Sequence, residues 1–388
     1  MKKILFLIPK MNNAGTEQAL LNFLSVIDKS KYKITIGLVS NEGVWQHRIP
    51  SECESFQIPM TEKLRKRLLL GGTKANIFCK LKRGNLFGAI KIYFDSRIFK
   101  KFNAATNVKW DKIEQLQDEY ELAVCYMVHE PFLFDYCALK VKANKKVAFV
   151  HNDFATTGYD LGRSKYINRY DHFYTVSEKL KKELSEFANE SKISVFHNIV
   201  PVDTIRTKAE QEFDNPYSKE NINLLSIGRL NHQKGFDLAL DVLSILKREY
   251  NNIKWYIVGT GELEQELKDK SDKLGLTDDF VFLGATDNPY PYIKHCDIYV
   301  QPSRHEGYCT TVNEARVLSK PIVATDVSGT LEMLTNNATG LVTKIDVTDI
   351  SDAIKKLVED ESLRKKFKNN LQNIEFVNNE MLEEFLNI

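Results

Sequence analysis

The chain has 388 residues, enough for two or three domains, each with its own core. Hydrophobic content of 43% and charged content of 27% are those of an ordinary soluble globular protein, and a net charge of +2 excludes an overall polycation or polyanion. No stretch approaches the roughly 20 apolar residues that span a bilayer, and the six cysteines show neither CxxC nor metal-ligand spacing, which suits reduced thiols in a cytosolic protein.

The opening MKKILFLIPK is basic, then apolar for about six residues before Pro9, too short for the apolar region of a signal peptide. It reads as a first strand over residues 3–9, buried on both faces of a parallel sheet. A loop ending at Gly15 follows, then an amphipathic helix over 16–24, with Gly15 where backbone must approach something closely. Further strands fall at 33–39, 55–58, 121–127, 146–150, 173–176 and 192–196, with a helix over 179–187 capped by Ser177. Polar residues follow two of these strands: His129-Glu130 and His151-Asn152-Asp153. This alternation predicts a doubly wound α/β domain over residues 1–200.

Residues 61–110 interrupt it as an insertion with thirteen Lys or Arg against two acids, Glu62 and Asp95. Basic residues interleaved with Leu68, Phe78, Phe87, Tyr93 and Phe102 suit amphipathic helices on an anionic membrane surface. They equally suit helices packing an apolar face on the domain with a solvated basic face. No nucleic-acid module accompanies the charge, so nucleic acid is not expected as a partner.

Residues 201–221 are polar, with Pro201 and Pro216, and read as a linker. A second alternation follows: strands at 223–227, 254–258, 280–283, 297–301 and 321–324, helices at 237–250 and 262–274, and a charged helical tail over 350–388. After the first of these strands stands Gly228-Arg229-Leu230-Asn231-His232-Gln233-Lys234-Gly235. An Arg and a Lys between glycines ahead of a helix suit a diphosphate, a planar fork plus a point charge. Gly259-Thr260-Gly261 starts like a dinucleotide fingerprint, but Glu264 occupies its third glycine position, which argues against a dehydrogenase. Glu306 and Glu314 bracket Gly-Tyr-Cys-Thr-Thr-Val-Asn. Here a strand, a loop and a helix capped by Thr310 or Thr311 set one carboxylate on the loop and one in the helix. Free N–H groups between them make a seat for a phosphate.

Taken together, Gly15, Gly228-Arg229-Leu230 with Lys234-Gly235, residues 297–303, and Glu306-Gly307 through Glu314-Ala315 resemble the family-four retaining glycosyltransferases of the GT-B fold. The resemblance implies two doubly wound Rossmann-like domains facing across a cleft: an acceptor-binding domain (1–200) and a nucleotide-sugar domain (222–370). A terminal helix (371–388) would cross back to the first. It further implies that Arg229 and Lys234 hold the diphosphate in place of a metal, that Glu314 takes the ribose hydroxyls, and that Glu306 takes those of the transferred sugar. The N–H groups of Thr310, Thr311 and Val312 would cradle phosphate, with Gly228, Gly259, Gly284 and Gly307 in the same binding set. Gly15 would approach the diphosphate from the other domain, and His151 matches the family's histidine near the anomeric centre. The catalytic set is therefore His151, Glu306, Arg229 and Lys234, with neither metal nor cofactor expected. The family's usual Gly-Phe-Gly-Leu-Pro is here Gly307-Tyr308-Cys309-Thr310-Thr311, a less permissive loop that resembles members from bacterial capsule and surface-polysaccharide assembly.

The expected function is retaining transfer of a hexose or N-acetylhexosamine from a nucleotide diphosphate sugar, UDP-linked, to a saccharide or lipid-linked acceptor. The expected location is the cytoplasm, with peripheral contact at the inner face of the cell membrane through 61–110. The alternative is a non-catalytic nucleotide-sugar-binding or partner subunit with the same fold, for which the altered loop leaves room.

Overall fold

The structure, a computed structural model, describes residues 1–12, 14–69, 108–152, 154, 165–376 and 379–388. It divides into two compact units, residues 1–196 with Ile388, and residues 197–387.

The first unit is built on strands β1 (Lys2–Ile8), β2 (Tyr32–Leu38), β3 (Glu54–Gln57), β4 (Glu119–Cys125), β5 (Lys142–Val150), β6 (His172–Thr175) and β7 (Ile193–Val195). Their order is β3-β2-β1-β4-β5-β6-β7, and every pairing is parallel. The central strand β1 has Ile4 to Ile8 buried in succession, the mark of a strand covered on both faces. Helices α1 (Gly15–Val26), α2 (Glu62–Leu69), α3 (Pro131–Lys140) and α4 (Glu178–Leu184) belong to this unit. Ser177 caps α4 as expected, its Oγ accepting from the Leu180 N–H at 3.4 Å. Of the basic insertion only its ends are described, so the expected membrane-facing helices lie outside the described residues. Within α2, Arg65 is turned inward, its guanidinium donating to the backbone carbonyls of Val39 and, at 3.2 Å, Ile58.

The second unit holds α5 (Val202–Ala209), β8 (Ile222–Ile227), α6 (Phe236–Leu246), β9 (Ile253–Val258), α7 (Glu264–Lys273), β10 (Phe280–Gly284), α8 (Tyr290–His295) and β11 (Ile298–Gln301). It continues through α9 (Thr310–Val317), β12 (Ile322–Thr325), α10 (Thr330–Met333), β13 (Leu341–Thr343), α11 (Val347–Glu359), α12 (Glu361–Gln372) and α13 (Asn379–Leu386). The sheet runs β10-β9-β8-β11-β12-β13, again all parallel. Alternate strand residues feed two cores, as the two-residue period of a strand requires. Leu224, Trp255, Ile257, Ile298 and Val300 face one core with α6 and α11. Leu225, Tyr256, Val258, Tyr299 and Ile322 face the other with α5 and α9. Within residues 201–221, read from the sequence as a linker, α5 buries Ile205 and Ala209, two residues four apart that form a narrow packing stripe.

Candidate functional site

In the second unit the chain moves outward from β8 to β9 and β10, then returns to place β11 on the other side of β8. Loops leaving β8 and β11 therefore diverge, and this reversal of strand order is where open α/β sheets bind ligands. The sequence puts Arg229 and Lys234 after β8 and Glu306 after β11.

The loop after β8 is shaped by contact with its neighbours. Asn231 Oδ1 accepts from the Lys234 N–H at 3.2 Å, forming one tight turn. Gly235 then adopts φ +70°, and a Cβ there would stand 2.0 Å from the Pro302 carbonyl oxygen, so only glycine lets the two loops touch. The aliphatic stem of Lys234 lies over Gly228, where a Cβ would meet it at 3.0 Å. Its ammonium then reaches Glu306, with Nζ 2.7 Å from Oε1. Ser303 Oγ donates to the same oxygen at 2.7 Å, Gln301 Nε2 donates to Ser303 Oγ at 2.8 Å, and Gln301 Oε1 accepts from Thr311 Oγ1 at 3.0 Å and from the Tyr299 hydroxyl at 2.7 Å. A continuous polar chain thus runs from the first turn of α9 to Lys234. Burial alone would depress the Lys234 amine, but the Glu306 carboxylate outweighs it and holds the ammonium above the usual lysine range. Burial, with Glu306 second, pushes the nearby Cys309 thiol up to about 11, so it is neutral near pH 7.

Arg229 stands apart from this network. Its side chain is 64% exposed and its Nε lies 3.6 Å from Glu262 Oε2, a contact of little worth in water. Gly259 holds φ +146° with a virtual Cβ 1.9 Å from the Gly228 carbonyl oxygen, and its N–H donates to Gly284 O at 2.7 Å. Gly284, at φ +76°, faces open space. These glycines draw the ends of β8, β9 and β10 close together beneath Arg229.

The helix α9 departs from expectation at its start. Thr310 and Thr311 are its first two residues rather than its cap; Cys309 occupies the cap position and makes no side-chain cap bond. Thr311 Oγ1 is engaged with Gln301 instead, and the Cys309 thiol lies 3.3 Å from the same Thr311 hydroxyl. The helix N-terminus keeps its anion-binding character. One turn in, Glu314 is buried, and the Tyr290 hydroxyl donates to its Oε1 at 3.4 Å. Within the loop, no residue from Gly307 to Thr311 has a positive φ, and Cys309 sits at φ −76°, so losing the family's second glycine brings no backbone strain.

Two groupings escaped sequence reading. Arg304 grips Asp237 in the first turn of α6 through a fork of 2.7 and 2.6 Å and donates to His232 O at 2.9 Å, fixing the loop that carries Glu306. Burial would raise the Asp237 carboxyl, but Arg304 lowers it overall. Tyr308 stacks on His197 at 5.0 Å and 12°, and His197 Nε2 is 3.0 Å from Glu332 Oε2. An Arg two residues before Glu306 and an Asp two after Gly235 were the only sequence signals for the first pair; none pointed to the second.

Gly15 and His151 belong to the first unit. Gly15 opens α1, and among the described residues nothing lies within 4 Å of a Cβ placed on it. His151 is buried beside Tyr126, ring centroids 4.5 Å apart. Burial, with His129 next, pushes its imidazole down to about 3, so it is neutral at any working pH. Asp153 lies outside the described residues. Among the described residues no cluster of three metal-ligating side chains occurs, and no helix is long and apolar enough to cross a membrane.

A family model described as glycosyl transferases group 1 matches residues 207–374. The capsular polysaccharide biosynthesis glycosyltransferase CapM of Staphylococcus aureus is 29% identical over 49% of this chain and 53% of CapM. A Campylobacter jejuni enzyme named as an N-acetylgalactosaminyltransferase acting on a diphospho-undecaprenol-linked sugar is 29% identical over 46% of the chain and 47% of its own length. The chain thus spans about half the length of these curated relatives. Among solved structures, Anabaena HepE in complex with UDP-glucose superposes over 100% of both chains with a TM-score of 0.69 at 17% identity. The GT-B fold expected from sequence is the fold of this chain.

Proposed function

We propose that this chain, whose residues 207–374 match the model of the group 1 glycosyl transferases, acts as one of them and moves a hexose or N-acetylhexosamine from a UDP-linked sugar to a saccharide or lipid-linked acceptor, with retention of configuration. The observation that carries this reading is the Lys234–Glu306 pair at the β8/β11 reversal, held by Ser303 and Gln301 and joined to α9 through Thr311.

In this reading the second unit takes the nucleotide sugar. The diphosphate lies against the α9 N-terminus at Thr310, Thr311 and Val312, where N–H groups and the helix dipole favour negative charge. Lys234 and Arg229 flank it, and as the bond to the sugar breaks their charges stabilise the departing diphosphate, the task a divalent cation performs in other transferases. The mobility that solvent exposure gives Arg229 lets its fork close on phosphate only when phosphate is present. Glu306, its charge balanced by Lys234, accepts from hydroxyls of the transferred sugar, and Glu314 from those of the ribose. Gly228, Gly259, Gly284 and Gly307 let backbone approach the ligand. The first unit takes the acceptor, and neutral His151 binds by hydrogen bonding rather than charge. Relatives that carry names from capsule and undecaprenol-linked glycan assembly, and the +11 charge of residues 61–110, support an acceptor presented at a membrane surface.

The test is a thermal-shift screen of nucleotide sugars followed by mass-spectrometric detection of transfer. UDP-hexoses or UDP-N-acetylhexosamines stabilise the protein, and Glu306→Ala and Lys234→Ala abolish transfer while circular dichroism stays native. Turnover at the wild-type rate in either variant overturns the assignment, and affinity without hydrolysis or transfer in the wild type makes the chain a binding subunit.

A further inference from the structure

The first unit has its own point of strand-order reversal, between β1 and β4. Titratable groups gather there as they do in the second unit: Glu17 in the first turn after β1, His129 and Glu130 after β4, and His151 after β5. Glu130 occupies the N-cap position of α3, where a carboxylate ordinarily accepts from first-turn N–H groups. It makes no such bond. No described hydrogen bond or ion pair reaches its carboxylate, and burial, with Glu17 second, pushes it up to about 7. His129 is no counter-charge, since burial pushes it down to about 4.

His151 supplies the second observation. Among the described residues its Nε2 is buried with no partner, while the ring is hydrogen-bonded to the backbone of Tyr126. The nitrogen facing Tyr126 is therefore Nδ1, which donates to a carbonyl, and Nε2 is left as a lone-pair acceptor. A half-desolvated carboxylate and a buried imidazole nitrogen both lack donors, and buried acceptors in that condition are costly unless something donates to them. An anion would be repelled by the carboxylate, whereas the O–H groups of a sugar satisfy both acceptors.

We propose that Glu130 is a specificity-determining ligand for the acceptor, its carboxylate taking one saccharide hydroxyl while His151 Nε2 takes another. The inference rests on the glycosyl-transfer reading and deepens it by naming the residue of the first unit that chooses the acceptor. Glu130 lies outside every motif that carried the family resemblance.

The experiment is ligand-observed saturation-transfer NMR on the full chain with methyl glycosides of glucose, galactose, N-acetylglucosamine and N-acetylgalactosamine, and with UDP. At least one glycoside binds the wild type. Glu130→Gln and Glu130→Ala bind it about tenfold more weakly, the loss of one hydrogen bond to a charged group. Glu130→Asp recovers part of the signal, and UDP binds all four proteins equally. Unchanged glycoside binding in both Glu130→Gln and Glu130→Ala overturns the inference, and so does the absence of any glycoside signal on the wild type. A missing UDP signal on the wild type strikes the nucleotide-sugar reading instead, while the glycoside arm still decides this one.

Discussion

Glu130→Gln has a second, independent consequence, because a carboxyl displaced from 4.5 to about 7 destabilises the native state wherever it is ionised. The native protein binds this proton more tightly than the unfolded chain does. Stability from the group is therefore complete below the unfolded value of 4.5 and is lost as pH rises through about 7. At about 1.36 kcal/mol per pH unit, the loss approaches 3 kcal/mol by pH 8, an upper bound because Glu130 keeps partial access to water. At pH 5 the same linkage gives below about 1 kcal/mol. Among the neighbours, His129 and His151 remain neutral throughout, pushed down to about 4 and 3, and Glu17 reinforces the trend by adding like charge. Glutamine has the shape of glutamate without its proton. The variant's stability relative to wild type should therefore climb by about 2 kcal/mol between pH 5 and pH 8. Urea titrations at four pH values measure it, with Trp45 and Trp110 reporting the first unit and Trp255 the second. A pH-independent difference, or a wild type that gains on the variant as pH rises, refutes the reasoning. A variant more stable yet poorer at binding sugar is the trade that groups kept for ligands commonly show.

Two further outcomes concern the second unit. Gly259→Ala must both strain a φ of +146° and displace the Gly228 carbonyl, costing about 2–5 kcal/mol, whereas Gly275→Ala, at φ +69° with open space around it, costs about 1–2 kcal/mol. Equal losses in urea midpoints would refute the packing argument. Arg304→Lys replaces a two-bond grip on Asp237 with a single contact, lowering stability by about 1–2 kcal/mol. On the proposed function it also raises the KM for the nucleotide sugar more than it lowers kcat, because the loop bearing Glu306 loosens; unchanged kinetics would separate that loop from binding.

The sequence exposed much of the second unit because its signals are local. Strands ending at Ile227, Val258 and Gln301 are followed closely by Gly-Arg, Gly-Thr-Gly and Glu-Gly, so spacing along the chain is enough to place this chemistry at strand ends. What stayed hidden depends on partners far apart in sequence. The Arg304–Asp237 fork joins residues 67 apart and the His197–Glu332 contact residues 135 apart, and neither side chain announces the other. Helix α3 was missed for another reason: Phe132, Leu133, Phe134, Tyr136, Cys137 and Ala138 are all buried, so no polar face marked a helical period. Without that helix, Glu130 reads only as a polar residue after a strand and not as a helix N-cap. A carboxylate just ahead of a helix reads as its cap, and in the fold that cap bond is not made. The same logic applies to His151, which in sequence is one histidine after a strand. In the fold its Nδ1 is occupied and its Nε2 is not, so the ring has a fixed tautomer and an open acceptor. Both strand-order reversals thus gather polar groups. In the second unit they neutralise one another as a paired lysine and glutamate, the pair on which the proposed nucleotide-sugar site rests. In the first, the described groups include a carboxylate and an imidazole that lack donors, which is the chemistry of a site for neutral hydroxyls.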